Sequence, residues 1–245
     1  MRHIILPILL VFTITITISS CSTYQYMTVD SSELSKNNDK QFTWENDTMR
    51  LIYSINGKDG PFRVDVYNKT NQPLYVNWKK SALIRDERST SYFNTNVTIY
   101  GASSSVGYNI GRIRVTNGTS VSNFSLPEGL DFIPPGAGIS KDLPPIAQTG
   151  ELLTYISDSI PKEKIFGPDG VYQAKYQRVR YDESQSPIRF KSYITFSLGT
   201  QASPEFAVTH SFYVGQVLQT GAAPELFVLY HTAEGDNAFI KRSAQ

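Results

Sequence analysis

The sequence holds one cysteine in 245 residues, three histidines and only 18% charged residues. A single thiol excludes an intrachain disulfide framework, so core burial alone must hold the chain, which a chain of this length can supply. The few histidines narrow the routes to metal and acid–base chemistry. His3 lies at the extreme N-terminus, leaving His210 and His231. His-Glu-x-x-His, paired Cys-x-x-Cys and Gly-x-Ser-x-Gly are all missing, and "GASSSVG" has the wrong spacing for the last. Without Arg2 the basic and acidic residues balance, which excludes the basic excess of a nucleic-acid binder. Helical periodicity is scarce: "GELLTYISDSI" carries Leu152, Leu153, Tyr155 and Ile156 at mixed spacing and reads as one short helix or a strand.

What the sequence does have is period-two alternation. Phe62, Val64 and Val66 alternate with Arg63, Asp65 and Tyr67, and Leu74, Val76 and Trp78 with Tyr75, Asn77 and Lys79. The linker "NKTNQP" has turn composition, so these two runs are expected to pair as a hairpin. Further on, Ile188, Phe190, Ser192, Ile194, Phe196 and Leu198 share one strand face, as do Phe206, Val208, His210, Phe212 and Val214. Closely spaced strands without βα alternation predict an all-β, antiparallel sandwich with long loops. The Gly/Ser-rich piece "GASSSVGYNIGRIRVTNGTS" reads as a long loop or a decorated hairpin.

The N-terminus combines Arg2 with an uncharged apolar run from Ile4 to Ile18, about fifteen residues, the length of a signal-peptide core. A bilayer span needs roughly 20. Ser19 and Ser20 are small, and Cys21 follows. The tetrad Ile18-Ser19-Ser20-Cys21 resembles the lipobox of bacterial lipoproteins. That resemblance implies cleavage before Cys21, acylation of its thiol and amine, and anchoring of the chain in a membrane. The following "STYQYMTVDSSELSKNNDKQ" is polar and reads as a flexible tether, with an N-terminal strand around Tyr24 to Val29 as the alternative. The expected organisation is a signal peptide over 1–20, a lipidated tether over 21–41 and one β-sandwich domain over 42–240.

"VYNKTNQPLYVNWKKSALI", with "FIPPGAGIS" and "SFYVGQV", resembles uncharacterised lipoproteins of Bacteroidetes type. The Asn-x-Thr-x-x-Pro turn before an aliphatic-Tyr-aliphatic strand is similar to immunoglobulin-like LEA type 2 domains. The resemblance implies an immunoglobulin-like sandwich and brings no known activity. No acidic cluster follows Cys21, and Ser22 stands where inner-membrane retention in enteric bacteria uses aspartate. By that resemblance the protein is expected at the outer membrane, lipid-anchored and facing the periplasm.

No catalytic residues, cofactor or metal site are assigned from the sequence. His210 sits in phase with Phe206, Val208 and Phe212 and is expected as a packed strand histidine. His231, with Glu234 and Asp236 nearby, reads as a turn at a strand end. The acidic residues fall in turn-like segments such as "RDER" and "YDESQS", where nothing in the sequence brings two carboxylates face to face. "YQAKYQRVRY" interleaves tyrosines with Lys175, Arg178 and Arg180, and Arg189 and Lys191 follow on the next strand. This Tyr-rich basic face is the candidate contact surface for acidic glycans or lipid headgroups, with Trp44 as a further contact. Asp47-Thr48-Met49 and Asp158-Ser159-Ile160 resemble the O-glycosylation signal of Bacteroidetes, making Thr48 and Ser159 candidate acceptors. The functional expectation is a non-catalytic binding or scaffolding module for an envelope protein or glycan. Its alternatives are a carboxylate-dependent envelope hydrolase and an adhesin or pilus-like subunit.

Overall fold

The computed structural model describes residues 22–93, 100–110, 113–123, 129–147, 150, 152–157, 160–166, 173–226 and 234–242. The leader over 1–20, Cys21, Ser159 and His231 lie outside the described residues. The strands begin with β1 (Thr23–Asp30), β2 (Ser35–Lys36), β3 (Phe42–Glu45), β4 (Met49–Ile55), β5 (Gly57–Lys58) and β6 (Phe62–Asn68). They continue with β7 (Leu74–Arg85), β8 (Arg88–Ser91), β9 (Tyr100–Ile110), β10 (Ile113–Asn123), β11 (Leu130–Ile133) and β12 (Gly138–Leu143). The last are β13 (Glu163–Phe166), β14 (Gln173–Arg180), β15 (Arg189–Leu198), β16 (Glu205–Thr220) and β17 (Asn237–Arg242).

A five-stranded sheet, in the order β12-β6-β4-β3-β2, faces a ten-stranded sheet whose main path is β11-β7-β15-β16-β1-β17-β5. Among the described residues pairing is antiparallel except for the short contact of β17 with β5. This is the all-β sandwich expected from the alternation. In β4 the side chains of Met49, Leu51, Tyr53 and Ile55 are buried, and in β6 Phe62, Val64 and Val66 meet them across the register. Between the sheets Phe42, Tyr53 and Phe62 interleave with Phe190 and Phe212. Phe212 lies 5.2 Å from Phe42, 5.3 Å from Tyr53 and 5.6 Å from Phe62, each pair edge to face. Such pairs add about 0.5–1.5 kcal/mol each beyond the area they bury.

The expected hairpin between the Phe62 and Leu74 runs does not form. β6 belongs to the small sheet and β7 to the large one, so residues 69–73 carry the chain across the core. Asn68 explains the corner. Fully buried, its Nδ2 donates to the carbonyls of Gln72 (2.7 Å) and Ile133 (3.1 Å), and its Oδ1 accepts from Thr70 N and Oγ1. One side chain thereby fixes this crossing and the second one, between β11 and β12. By contrast, β15 and β16 do form a hairpin, with Phe190↔Phe212, Ser192↔His210 and Phe196↔Phe206 in register. The Gly/Ser-rich piece is a hairpin as well: β9 and β10 pair from Tyr100↔Asn123 to Ile110↔Ile113.

The tether expected over 21–41 is corrected by the structure. β1 lies inside the large sheet, hydrogen-bonded to β16 on one side and β17 on the other. The domain therefore starts near Thr23, not at 42. Gln25, Met27 and Val29 alternate with Tyr24 and Tyr26, and all five are buried. The inner set meets the main core. Tyr24 and Tyr26 join Ala174, Tyr176, Leu218, Ala222 and Phe239 in a second cluster. Burial on both faces removes the apolar–polar alternation by which a half-exposed strand is recognised.

The "GELLTYISDSI" segment is neither helix nor strand over its described residues. Two buried glutamines take its backbone polar groups instead. Gln25 Nε2 donates to Thr154 O (2.7 Å) and Gln25 Oε1 accepts from Leu153 N (2.7 Å), while Gln177 Nε2 donates to Ser157 O and Ile160 O (both 3.1 Å). The backbone groups are satisfied without a ladder, and Ile156 is turned into the core.

Candidate functional site

The candidate cations are arranged by β16. Its edge opposite β1 is paired first with β15, through Arg189↔Tyr213 and Lys191↔Ser211. The same edge then pairs with β14, through Arg180↔Gln216 and Arg178↔Leu218. β14 and β15 thus lie end to end rather than side by side. Phe190 and Ser192 point inward, so Arg189 and Lys191 face solvent on the outer side of the large sheet. Arg178 and Arg180 share that side, because Tyr176 two residues earlier belongs to the outer cluster. The four cations form a row of about 23 Å, seven residues of β16 at about 3.3 Å each. Lys175 is not part of it: it alternates to the other face and lines a separate hollow of about 200 Å³ with Lys162 and Thr23.

The two ends of the row differ. Arg178 is engaged, its guanidinium 5.3 Å over the Tyr176 ring, 2.8 Å from Tyr176 Oη and 3.6 Å from Glu163. Arg189 and Lys191 instead line a cavity of about 490 Å³ with Ile84, Asp86, Glu87, Glu183 and Ser211, and with Phe190 and Phe212, whose rings are turned into the core. The carboxylates come from "RDER" and "YDESQS", the two acidic segments that read as solvated turns. Sequence reasoning missed their convergence, which arises because the β7–β8 turn and the loop after β14 flank the same stretch of β15.

Local geometry presents the first pair. Arg85↔Arg88 closes a two-residue turn, and Asp86 and Glu87 both take positive φ, 51° and 63°. Tight hairpins require this left-handed backbone, and for a glutamate it carries a strain of about 1 kcal/mol. A signal was available in the sequence, since two strand-like runs flank two residues at 86–87. Asp86 pairs with Arg85 Nε at 3.1 Å, and Glu183 accepts from Ser32 Oγ at 2.9 Å. Among the described residues no three His, Cys, Asp or Glu side chains converge closely enough to hold a metal ion. The three carboxylates are therefore spread around the cavity wall.

The remaining candidates are structural in their surroundings. His210 is buried, 3.0 Å through Nδ1 from Tyr53 Oη and 5.1 Å ring to ring from Trp44. Burial pushes its pKa down to about 4, opposed by the charge of Glu33. Trp44, offered as a contact, is half-buried against the core. Asp236 is buried and bound to Lys36 at 2.7 Å, and Glu234 accepts from Asn237 at 2.6 Å. Thr48 sits in the β3–β4 turn, where its backbone N donates to Asn46 Oδ1 at 2.9 Å. Compared with protein-family models, characterised proteins and solved structures, the chain matches none of them.

Proposed function

We propose that this protein is a lipid-anchored module of a bacterial cell envelope, held through Cys21 at the outer membrane on its periplasmic side. In this reading it binds an envelope protein or glycan without catalysing a reaction. One observation carries the binding part: the cavity of about 490 Å³ on the outer sheet face. Ile84 beside Arg189, Lys191, Asp86, Glu87 and Glu183 suits a polar ligand with a small apolar face, and Arg180 and Arg178 continue the basic row along β16. The anchor rests on the lipobox resemblance. The immunoglobulin-like assignment belongs to the same reading, supported by the passages between sheets at 69–73 and 134–137.

Crosslinking in intact cells followed by affinity capture of the full-length protein tests this. The expected result is a partner whose recovery falls at least tenfold in Arg189→Glu/Lys191→Glu, with the denaturation midpoint unchanged. Retention of the same partner by that variant would sink the assignment of the cavity. A second reading, a carboxylate-dependent hydrolase of envelope glycan, is favoured by Asp86, Glu87 and Glu183 lining the same cavity. It predicts release of reducing ends from peptidoglycan, lost in Glu183→Gln.

A further inference from the structure

Only Ser22 separates Cys21 from Thr23, the first residue of β1. Two trans peptide units hold Cα atoms no more than about 7.6 Å apart. Any lipid on Cys21 therefore brings the β1 end of the large sheet to the membrane, with no tether between. The proposal rests on the lipidation reading and goes beyond it, because it concerns how the sandwich meets the bilayer.

That end of the sheet is basic. Thr23 pairs with Arg242 and Tyr24 with Lys241, whose ammonium lies 5.7 Å over the Tyr24 ring. Lys162 and Lys175 line the hollow of about 200 Å³ together with Thr23, Gln219, Thr220 and Gly221. Lys164 pairs with Lys175 across β13 and β14. Among the described residues here the carboxylates are Glu163, bonded by Tyr176 and Arg178, and Glu225. Beside the anchor stands one exposed aromatic: Tyr155 is 86% exposed, and its neighbour Thr154 is bonded to Gln25 on β1. Tyrosines at such a boundary settle at headgroup level.

We propose that this rim, with Lys162, Lys164, Lys175, Lys241, Arg242 and Tyr155, docks on anionic lipid headgroups. The reach from Cys21 to Thr23 is within the Debye length of about 8 Å at physiological ionic strength, so at this end of the sheet the charge of surface phosphates is only partly screened. Docking also orients the candidate cavity. Thr220 lies at the rim and Ser211 at the cavity, nine residues along β16, so the cavity stands about 30 Å from the bilayer.

The test uses the acylated full-length protein, purified from membranes and reconstituted into phosphatidylethanolamine vesicles with anionic phosphatidylglycerol, or into neutral phosphatidylcholine vesicles. A Cβ at Gly221 would meet nothing nearer than Ser22 O at 3.8 Å, so Gly221→Cys accepts a fluorescent label. With Cys21 acylated it is the only thiol. Thr200→Cys, on the exposed turn between β15 and β16, is the control. The excess quenching by spin-labelled headgroups at 221 over 200 is expected to be roughly twofold or more larger in anionic than in neutral vesicles. Lys162→Glu/Lys175→Glu/Lys241→Glu/Arg242→Glu is expected to remove that increment and leave the excess due to the anchor. The same excess in both kinds of vesicle, with the acyl mass on Cys21 confirmed, overturns the docking and leaves the anchor standing. A bare Cys21 in the same mass spectrum overturns the anchor, and the docking with it.

Discussion

His210 and Asp236 are each 4% exposed, yet they are accommodated by opposite means. His210 lies between the sheets among Tyr53 and Trp44 and is held neutral. Asp236 lies where β1, β2 and β17 meet and is held by a cation. Lys36 Nζ reaches Asp236 Oδ2 at 2.7 Å, Val29 O at 2.8 Å and Asp30 Oδ1 at 3.3 Å. The first arrangement makes stability depend on proton concentration; the second makes it depend on a partner. Neutral burial needs one hydrogen bond and a dry site. Paired burial needs the ammonium's donors satisfied in one geometry, which also ties three strands together.

The largest effect is expected from breaking the pair. Lys36→Met leaves the Asp236 carboxylate buried without its cation and should cost about 3–5 kcal/mol in urea unfolding. Lys36→Met/Asp236→Leu should recover most of that loss, because two apolar side chains leave no charge to desolvate. A double variant as unstable as the single one would show that the pair matters through the Val29 bond instead.

Next comes pH. Histidine in the unfolded chain titrates near 6.5, while His210 in the fold titrates at about 4. Between those values the unfolded state takes up a proton that the folded state refuses. The stabilisation is complete above pH 6.5 and is lost as pH falls towards 4, about 2 kcal/mol of it by pH 5. Urea midpoints at pH 7 and pH 5 measure this, and His210→Phe should flatten the profile. A smaller effect, about 1 kcal/mol, is expected from Tyr53→Phe, which leaves the imidazole buried without its hydrogen bond. Least sensitive is the exposed pair of Lys80 and Glu205 at 2.6 Å. Lys80→Ala should leave the denaturation midpoint within experimental error, since exposed pairs gain little over hydrated ions.

The elements differ in how far the sequence exposed them. β15 and β16 were legible because Phe190, Ile194 and Phe196, and Val208, Phe212 and Val214, keep period two on their inner faces while their outer faces carry Arg189, Lys191 and Thr209. β1 was read only as the alternative to a tether, since tyrosines cover its outer face and Gln25 interrupts its inner one. The pairing of β6 with β7 was misread, because "NKTNQP" suits a hairpin turn and a corner between sheets equally well. The difference lies in Asn68, whose Nδ2 reaches Ile133, 65 residues away. For the candidate site, Arg178, Arg180, Arg189 and Lys191 were marked in advance, but Asp86, Glu87 and Glu183 were not. Their convergence depends on β14 and β15 sharing one edge of β16, a pairing between segments far apart in the chain.

By itself the sequence determined where the strongly alternating strands run, that no intrachain disulfide braces them and that one thiol follows an apolar run. These follow from side-chain alternation and residue inventory, which are local. Only the tertiary structure decided which sheet each strand joins, which glutamines and asparagine are buried, and which charges share a cavity. Backbone hydrogen bonds are the same for every residue type, so strand partners are selected by long-range packing of faces.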